Sequence, residues 1–226
     1  MTKHARLLDL ARKRQRARWR GYACISDFHG GAYECDHVSP YTKAASNVDS
    51  SVMVLLQDWS SEDRLRSELD PDAVEFGHSP RLATNQNLIS LLRRHFGLGL
   101  SDVYATNLFP FVKPGGLSAS ISEADLVRAA AEFAVPQIRI VDPAIVVCLG
   151  ARVYDAIRKS EGLKPIGGMS ERITTPIRIG KAQVWCQAHT GALGTNNRNR
   201  GGVDRVNADW ERMAEDFRHA TVKIGL

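Results

Sequence analysis

The sequence predicts an α/β fold, a three-layer α/β/α sandwich around a central four-stranded and mostly parallel sheet. Four short apolar runs, each bounded by polar or turn residues, predict strands at 51–56, 103–108, 144–149 and 183–188. Their hydrophobicity is continuous rather than alternating, which is typical of strands buried on both faces of a parallel sheet. Helical segments separate the runs, and this alternation favours helices on both sides of the sheet.

The first predicted helix covers residues 3–20, which contain neither Gly nor Pro and place Leu7, Leu8 and Ala11 on one side. Residues 21–50 mix Gly, Ser, Asn and aromatic residues, so we expect a long irregular connection that packs on the body. Further helices are predicted at 85–96, 122–140 and 152–161, and Pro136 should kink or divide the second of them. The last helix, 203–222, carries an apolar stripe at helical spacing: Val203, Val206, Trp210, Met213 and Phe217.

Length and composition exclude several classes of protein. Of 226 residues, 43% are hydrophobic and 24% are charged, which excludes a wholly disordered, collagenous or coiled-coil chain. No apolar run approaches the roughly 20 residues of a membrane helix, and no apolar segment follows the basic N-terminus as in a secretory signal. We therefore expect a cytoplasmic protein without a membrane partner.

The net charge of +5 is concentrated near the N-terminus. Residues 1–20 hold eight basic side chains and one acidic one, whereas the rest of the chain holds 22 basic and 24 acidic ones. We interpret residues 1–20 as a basic helical arm and residues 21–226 as one domain. Such an arm predicts contact with a polyanion, nucleic acid first and an anionic membrane second, with a merely solvated helix as the alternative.

Four cysteines are too few for a disulfide framework in a chain of this length. Cys148 and Cys186 lie inside apolar runs, so we expect buried thiols on strands. Cys24 and Cys35 form no Cys-x-x-Cys pair, and we predict neither a metal site nor any other cofactor.

Three polar residues end or follow predicted strands, at the edge where parallel sheets bind their ligands. Asp58 is suited to orient a water molecule, Asn107 to read the edge of a base, and His189 to donate to a developing anion. This set suits cleavage of an N-glycosidic bond, in which the sugar becomes cationic while the base leaves as an anion. Each of these residues, taken singly, also has a structural explanation. Asp58 could be a helix N-cap, Asn107 a turn residue and His189 an interior histidine.

Four segments resemble the motifs of the uracil-DNA glycosylase superfamily. LLQDWSSED (55–63) resembles the motif Gly-Gln-Asp-Pro-Tyr through Gln57 and Asp58, and VYATNLFPF (103–111) resembles the strand whose Asn, here Asn107, reads the flipped pyrimidine. IVVCLGARVYDAI (145–157) resembles a Leu-Gly-Ala strand, turn and helix. AHTGALG (188–194) resembles His-Pro-Ser-Pro-Leu, with His189 and Leu193 at the matching ends.

The resemblance implies a role for each matched residue. Asp58 would activate the attacking water, His189 would stabilise the departing base anion, and Asn107 would hold the base. Leu193 would enter the duplex as a wedge. Among the neighbouring residues, Gln57 and Trp59 would contact the base in its pocket. Arg198 and Arg200 would contact the DNA backbone.

Departures from the family pattern bear on the substrate. Trp59 replaces Pro-Tyr, whose Tyr excludes bases substituted at C5. The place of the family's stacking Phe falls near residues 80–82, and Phe76 is close by. We therefore expect a DNA glycosylase for a modified or damaged pyrimidine, with hypermodified cytosine of phage DNA, removed in defence, as one candidate. It would act as a monomer and leave an abasic site. We expect it to be monofunctional, because the only lysine near the four segments is Lys113.

Two other functions remain open. A catalytically inactive sensor would flip and bind modified bases in DNA without releasing them. An N-glycosidase for nucleosides or nucleotides would act on the free compounds, and the basic arm and Leu193 would then have no role.

Overall fold

The computed structural model describes the backbone of residues 1–224 and the side chains of residues 1–219. The strands are β1 Val52–Asp58, β2 Tyr104–Phe109, β3 Ile145–Leu149, β4 Ile177–Ile179 and β5 Ala182–Gln187. They form one sheet in the order β2-β1-β3-β5-β4, which confirms the α/β class. β1, β2, β3 and β5 run parallel, as the four continuous apolar runs predicted.

The prediction of four strands is wrong by one, because β4 extends the edge of the sheet. This strand has only three residues and pairs antiparallel with β5, Ile177 opposite Val184 and Ile179 opposite Ala182. Gly180 connects the two strands with a φ of 59°, a conformation that residues with a Cβ rarely adopt. A strand of three residues is too short for its alternating hydrophobicity to be distinguished from a loop.

Helices pack on both faces of this sheet. They are α1 Lys3–Arg16, α2 Glu62–Arg66, α3 Pro71–Phe76, α4 Ala83–Phe96, α5 Glu123–Ala129, α6 Val135–Val141, α7 Ala151–Ser160, α8 Met169–Thr174, α9 Ala192–Arg198 and α10 Arg205–Ile224. On β1, Met53 and Leu55 belong to an apolar cluster with α1, α5, α6 and α7, whereas Val54 and Leu56 belong to one with α4 and α10. The alternation of side chains along β1 therefore divides the core into two halves.

The basic N-terminal segment is folded onto the body. Leu7 and Ala11 of α1 are buried, and the helix ends at Arg16 rather than at residue 20. Trp19 then enters the core among three phenylalanine rings. Arg14 is only 1% exposed, and its guanidinium donates to Glu34 Oε1 at 2.5 Å and to the carbonyls of Cys35 and His37. At least part of the N-terminal charge thus serves the fold itself.

Pro136 interrupts the long helix predicted at 122–140. α5 begins after Ser122, whose hydroxyl caps its first turn. A π-helical stretch, Ala130–Ala134, separates α5 from α6 just before the proline. Because proline has no N–H group, it cannot donate to the carbonyl of Glu132, and Lys13 of α1 donates to that carbonyl at 3.4 Å.

Residues 21–50 form the expected irregular connection, with 3-10 turns at Ile25–Asp27, His29–Gly31 and Pro40–Ala44. Its aromatic side chains Phe28, Tyr33 and Tyr41 are buried, so the connection packs on the body as predicted. In α10 the predicted stripe is present apart from Val203, which precedes the helix and is exposed. Within residues 1–224, no helix combines the length and the apolar character needed to cross a membrane.

Candidate active site

A cavity of about 930 Å³ lies at the carboxyl ends of the parallel strands. Asp58, Asn107 and His189 all line it, so the predicted convergence of these side chains is present. Gln57 and Trp59 line the same cavity. Parallel strands bring their carboxyl ends to one edge, which is why residues far apart in sequence meet here.

Asp58 is the last residue of β1, where it pairs with Phe109 of β2. Its carboxylate is held from two sides: Lys113 Nζ lies 2.8 Å from Oδ2, and Gln57 Nε2 donates to Oδ1 at 2.7 Å. Asp58 is not a helix cap, since α2 begins only after Ser61. The ion pair and the amide hydrogen bond therefore hold a negative charge in the cavity wall in one orientation.

Lys113 is a member of this site that the sequence analysis did not assign. It is only 4% exposed, and its Nζ also donates to the Leu117 carbonyl at 2.7 Å. Its own carbonyl accepts from the Glu62 N–H at 2.9 Å, which ties the loop after β2 to the loop after β1. The sequence did contain a signal for this role, since Lys113 directly follows two apolar residues, Phe-Val. A lysine in such a stretch is expected to be buried, and a buried ammonium group requires a carboxylate partner.

Asn107 lies inside β2, opposite Leu56 of β1, and is only 1% exposed. Its Oδ1 accepts a 2.6 Å hydrogen bond from Ser39 Oγ, which belongs to the connection before β1. Its Nδ2 is buried and has no hydrogen-bond partner among the described residues. A buried donor without a partner costs about 1–3 kcal/mol, so a ligand that accepts from Nδ2 recovers that energy on binding.

His189 lies two residues beyond the end of β5, lines the cavity and is exposed. The Gly191 N–H donates to Nδ1 at 3.0 Å, so the proton of the neutral ring lies on Nε2. Desolvation by the surrounding atoms lowers the pKa of His189, and the carboxylate of Asp58 opposes this effect. A Cβ at Gly194 would lie 2.2 Å from the His189 carbonyl oxygen, so only glycine fits there.

Trp59 is fixed in the cavity wall. Its Nε1 donates to a backbone carbonyl at 2.7 Å, and its ring lies 5.4 Å from that of Tyr33. Phe76 is exposed and does not line the cavity, so it is not placed to stack on a bound base. Tyr41 and His78, whose rings are 5.1 Å apart, line the cavity instead.

A polar cluster forms another part of the cavity wall. Arg64 Nη2 donates to Ser79 Oγ at 2.9 Å, and Ser79 Oγ donates to Asp70 Oδ2 at 2.6 Å. The Ser79 hydrogen bond is the main reason that the pKa of Asp70 is lowered. The cavity thus offers a guanidinium, a hydroxyl and a carboxylate in addition to the groups around Asp58.

The residues assigned to DNA contact lie on α9 and in the loop after it. Leu193 is 78% exposed, and Arg200 is also exposed. Arg198 is occupied: its Nε and Nη2 donate to the buried Asp209 at 2.6 and 3.0 Å, and Nη1 donates to Ser170 Oγ. Arg198 therefore ties α9 to α10, and its position does not suit the predicted phosphate contact.

The cysteines have ordinary surroundings. Cys148 and Cys186 are neighbours on β3 and β5, where burial raises the pKa of both thiols. The thiols of Cys24 and Cys35 donate to backbone carbonyls. Among the side chains of residues 1–219, no group of three or more His, Cys, Asp or Glu residues is placed to hold a metal ion.

No protein-family model matches the chain, and no curated protein is significantly similar to it. The geometry of the cavity is therefore the main basis for assigning a function. It combines a fixed carboxylate, a buried amide with an unused donor, and an imidazole with its proton on Nε2.

Proposed function

We propose that this protein is a DNA glycosylase of the uracil-DNA glycosylase superfamily, which flips a modified or damaged pyrimidine out of DNA and hydrolyses its N-glycosidic bond. The observation that carries this proposal is the meeting of Asp58, Asn107 and His189 around one cavity. The four parallel strands that bear the resembling segments support the same assignment. No residue of the additional strand β4 lines the cavity.

The groups around the cavity suit the charges of this reaction. Asp58, held by Lys113 and Gln57, accepts a hydrogen bond from the attacking water and stabilises the positive charge of the sugar. His189 donates through its Nε2–H to the departing base anion. Asn107 holds the base through Nδ2. Water is the only co-substrate, and the product is an abasic site.

The size of the cavity favours a pyrimidine that carries a substituent. A volume of about 930 Å³ is near the upper end for small-molecule sites and exceeds what an unmodified base requires. The polar cluster of Arg64, Asp70 and Ser79 provides hydrogen-bond partners for such a substituent. We propose hypermodified cytosine of phage DNA as the candidate substrate, removed in the cytoplasm as a defence.

The DNA-facing side of the proposed site consists of exposed residues beyond β5. Leu193 fills the space that the flipped base leaves in the duplex, which its exposure permits. Arg200 contacts a phosphate group near the flipped nucleotide. We propose that one copy of the chain carries the complete site, since Asp58, Asn107 and His189 of the same chain line one cavity.

Oligonucleotides that carry uracil, mismatched thymine, hydroxymethylcytosine or glucosylated hydroxymethylcytosine test this proposal. After incubation and alkali treatment, we expect strand breaks on at least one substrate, and mass spectrometry should identify the released base. Asp58→Asn should strongly slow the appearance of breaks, whereas Asp63→Asn, which changes an exposed acid in the same segment, should not. Intact strands on all four substrates would contradict a glycosylase.

Two other outcomes distinguish the alternatives. Tight binding of modified DNA by the wild-type and Asp58→Asn proteins, without release of a base from either, would identify a sensor. Equal rates on a free nucleoside and on the same nucleoside in DNA would identify a nucleoside N-glycosidase, for which Leu193 has no role.

A further inference from the structure

Ser39 connects the irregular segment before β1 to the amide of Asn107. It is buried and caps the 3-10 turn Pro40–Ala44, because its Oγ accepts from the Tyr41 N–H at 3.3 Å. The same Oγ lies 2.6 Å from Asn107 Oδ1. The Ser39 hydroxyl therefore accepts one hydrogen bond from its own turn and donates one to β2.

The direction of these hydrogen bonds determines which end of the Asn107 amide is left without a protein partner. Among the described residues, Asn107 Oδ1 is the only side-chain or backbone acceptor for the Ser39 hydroxyl proton. If the amide were turned over, Nδ2 and the Tyr41 N–H would both donate to Ser39 Oγ, and the hydroxyl proton would have no acceptor. The hydrogen-bond network therefore favours Oδ1 toward Ser39, with Nδ2 left for a ligand.

We infer that Ser39 is a specificity-determining residue, which positions Asn107 so that the site selects a base with a hydrogen-bond acceptor facing Nδ2. This inference rests on the proposed function. Uracil-type and cytosine-type rings differ at N3 and C4, where donors and acceptors are exchanged. An amide that is fixed in one orientation distinguishes the two rings, whereas an amide that can turn over accommodates both.

Selectivity between two matched bases tests this role. 5-Hydroxymethyluracil and 5-hydroxymethylcytosine, placed in the same oligonucleotide, carry the same C5 substituent and differ only at ring positions 3 and 4. We expect Ser39→Ala to change the ratio of their single-turnover release rates by about tenfold, toward equality. A variant that slowed both bases by the same factor would overturn the inference.

Thr42→Val is the matched control. Thr42 belongs to the same 3-10 turn and is also buried, but its hydroxyl donates to the Ala105 carbonyl of β2 at 2.8 Å and not to Asn107. The Thr42→Val substitution removes a comparable buried hydrogen bond, so the stability of the protein should fall. The ratio of the release rates of the two bases should stay at the wild-type value. An equal change of ratio in Thr42→Val would show that general loosening of the turn, not Ser39, alters selectivity.

Binding measurements separate this inference from the proposed function. In the Asp58→Asn background, equilibrium binding of the two oligonucleotides should show the same loss of selectivity when Ser39 is replaced. If the wild-type protein releases no base, the glycosylase proposal fails while the binding ratio still tests Ser39. Ser39→Cys, which keeps a weak donor of similar size, should give an intermediate ratio if Ser39→Ala does not fold.

Discussion

The two sides of the cavity are built differently. On the side of β1 and β2, Asp58 and Asn107 are held by hydrogen bonds from Lys113, Gln57 and Ser39, and the key side chains are largely buried. On the side of β5 and α9, His189 is exposed and Leu193 is 78% exposed. We refer to these as the buried side and the exposed side.

This difference indicates that the two sides of the cavity have different roles within one site. The buried side is preorganised, so it can hold the base and the reacting charge without rearrangement. In the proposed glycosylase the exposed side would meet the DNA, where a contact surface must be accessible before the base is flipped. Changes on the buried side should therefore affect both stability and chemistry, and changes on the exposed side should affect chemistry or DNA contact alone.

The largest effect is expected for Asp58→Asn. The amide keeps the shape of the side chain but removes the charge that activates water and stabilises the sugar cation. We expect single-turnover base release to slow by about 1,000-fold. Binding of modified DNA, measured by fluorescence anisotropy, should stay within a few-fold of wild type. A release rate within tenfold of wild type would place the essential charge elsewhere.

Lys113→Met should have the next largest effect, because it leaves the carboxylate of Asp58 without its ammonium partner. We expect the free energy of unfolding to fall by about 3 kcal/mol and base release to slow as well. Lys181→Met is the control, since the Lys181–Asp142 pair is exposed and its loss should cost less than about 1 kcal/mol. If urea unfolding showed the same decrease in the free energy of unfolding for both variants, the buried ion pair would contribute no more to stability than the surface pair.

His189→Ala separates the two sides of the cavity. We expect release to slow by about 100-fold through loss of the Nε2–H donor, with little change in the unfolding midpoint. His95→Ala, which removes a histidine hydrogen-bonded to Asn207 outside the cavity, should leave the release rate unchanged. A large loss of stability in His189→Ala would contradict the description of this side of the cavity as exposed, with few contacts that stabilise the fold.

Leu193→Ala should affect DNA contact only. We expect about a tenfold weaker binding of duplex DNA with a modified base, corresponding to roughly 1.4 kcal/mol, and unchanged stability. Leu163→Ala, at an exposed leucine that does not line the cavity, provides the comparison. If single-stranded substrate were as sensitive as duplex to Leu193→Ala, a wedge role would be wrong.

The smallest effect concerns pH. Burial lowers the pKa of His37 and His78, so at mildly acidic pH the unfolded chain binds more protons than the folded one. Stability should therefore be full above the ordinary histidine pKa of about 6.5 and decrease as the pH falls below it. His78→Asn should decrease this dependence between pH 7.5 and 5, as measured by urea unfolding. A pH dependence identical to wild type would argue against the desolvation of this ring.

Continuous apolar runs and strand ends have recognisable patterns, so the parallel strands and the meeting of Asp58, Asn107 and His189 were predictable from the sequence. β4 was not predicted, because its three residues are too few to show a period, and α1 was predicted to extend to residue 20 although Trp19 turns into the core. The contact of Ser39 with Asn107 joins residues 68 positions apart and has no local signal. Side-chain pairing of this kind depends on tertiary packing, which periodicity does not encode.

The docking of α1 also has a consequence for synthesis of the protein. Lys13 donates to a carbonyl 119 residues further along the chain, and Trp19 packs against Phe133. α1 therefore leaves the ribosome well before its binding surface exists, as a basic helix with its apolar side exposed. Until that surface has been made, α1 cannot complete its docking on the body, although it is translated early. The apolar side of α1, which the folded protein buries, thus lacks its packing partners during much of synthesis.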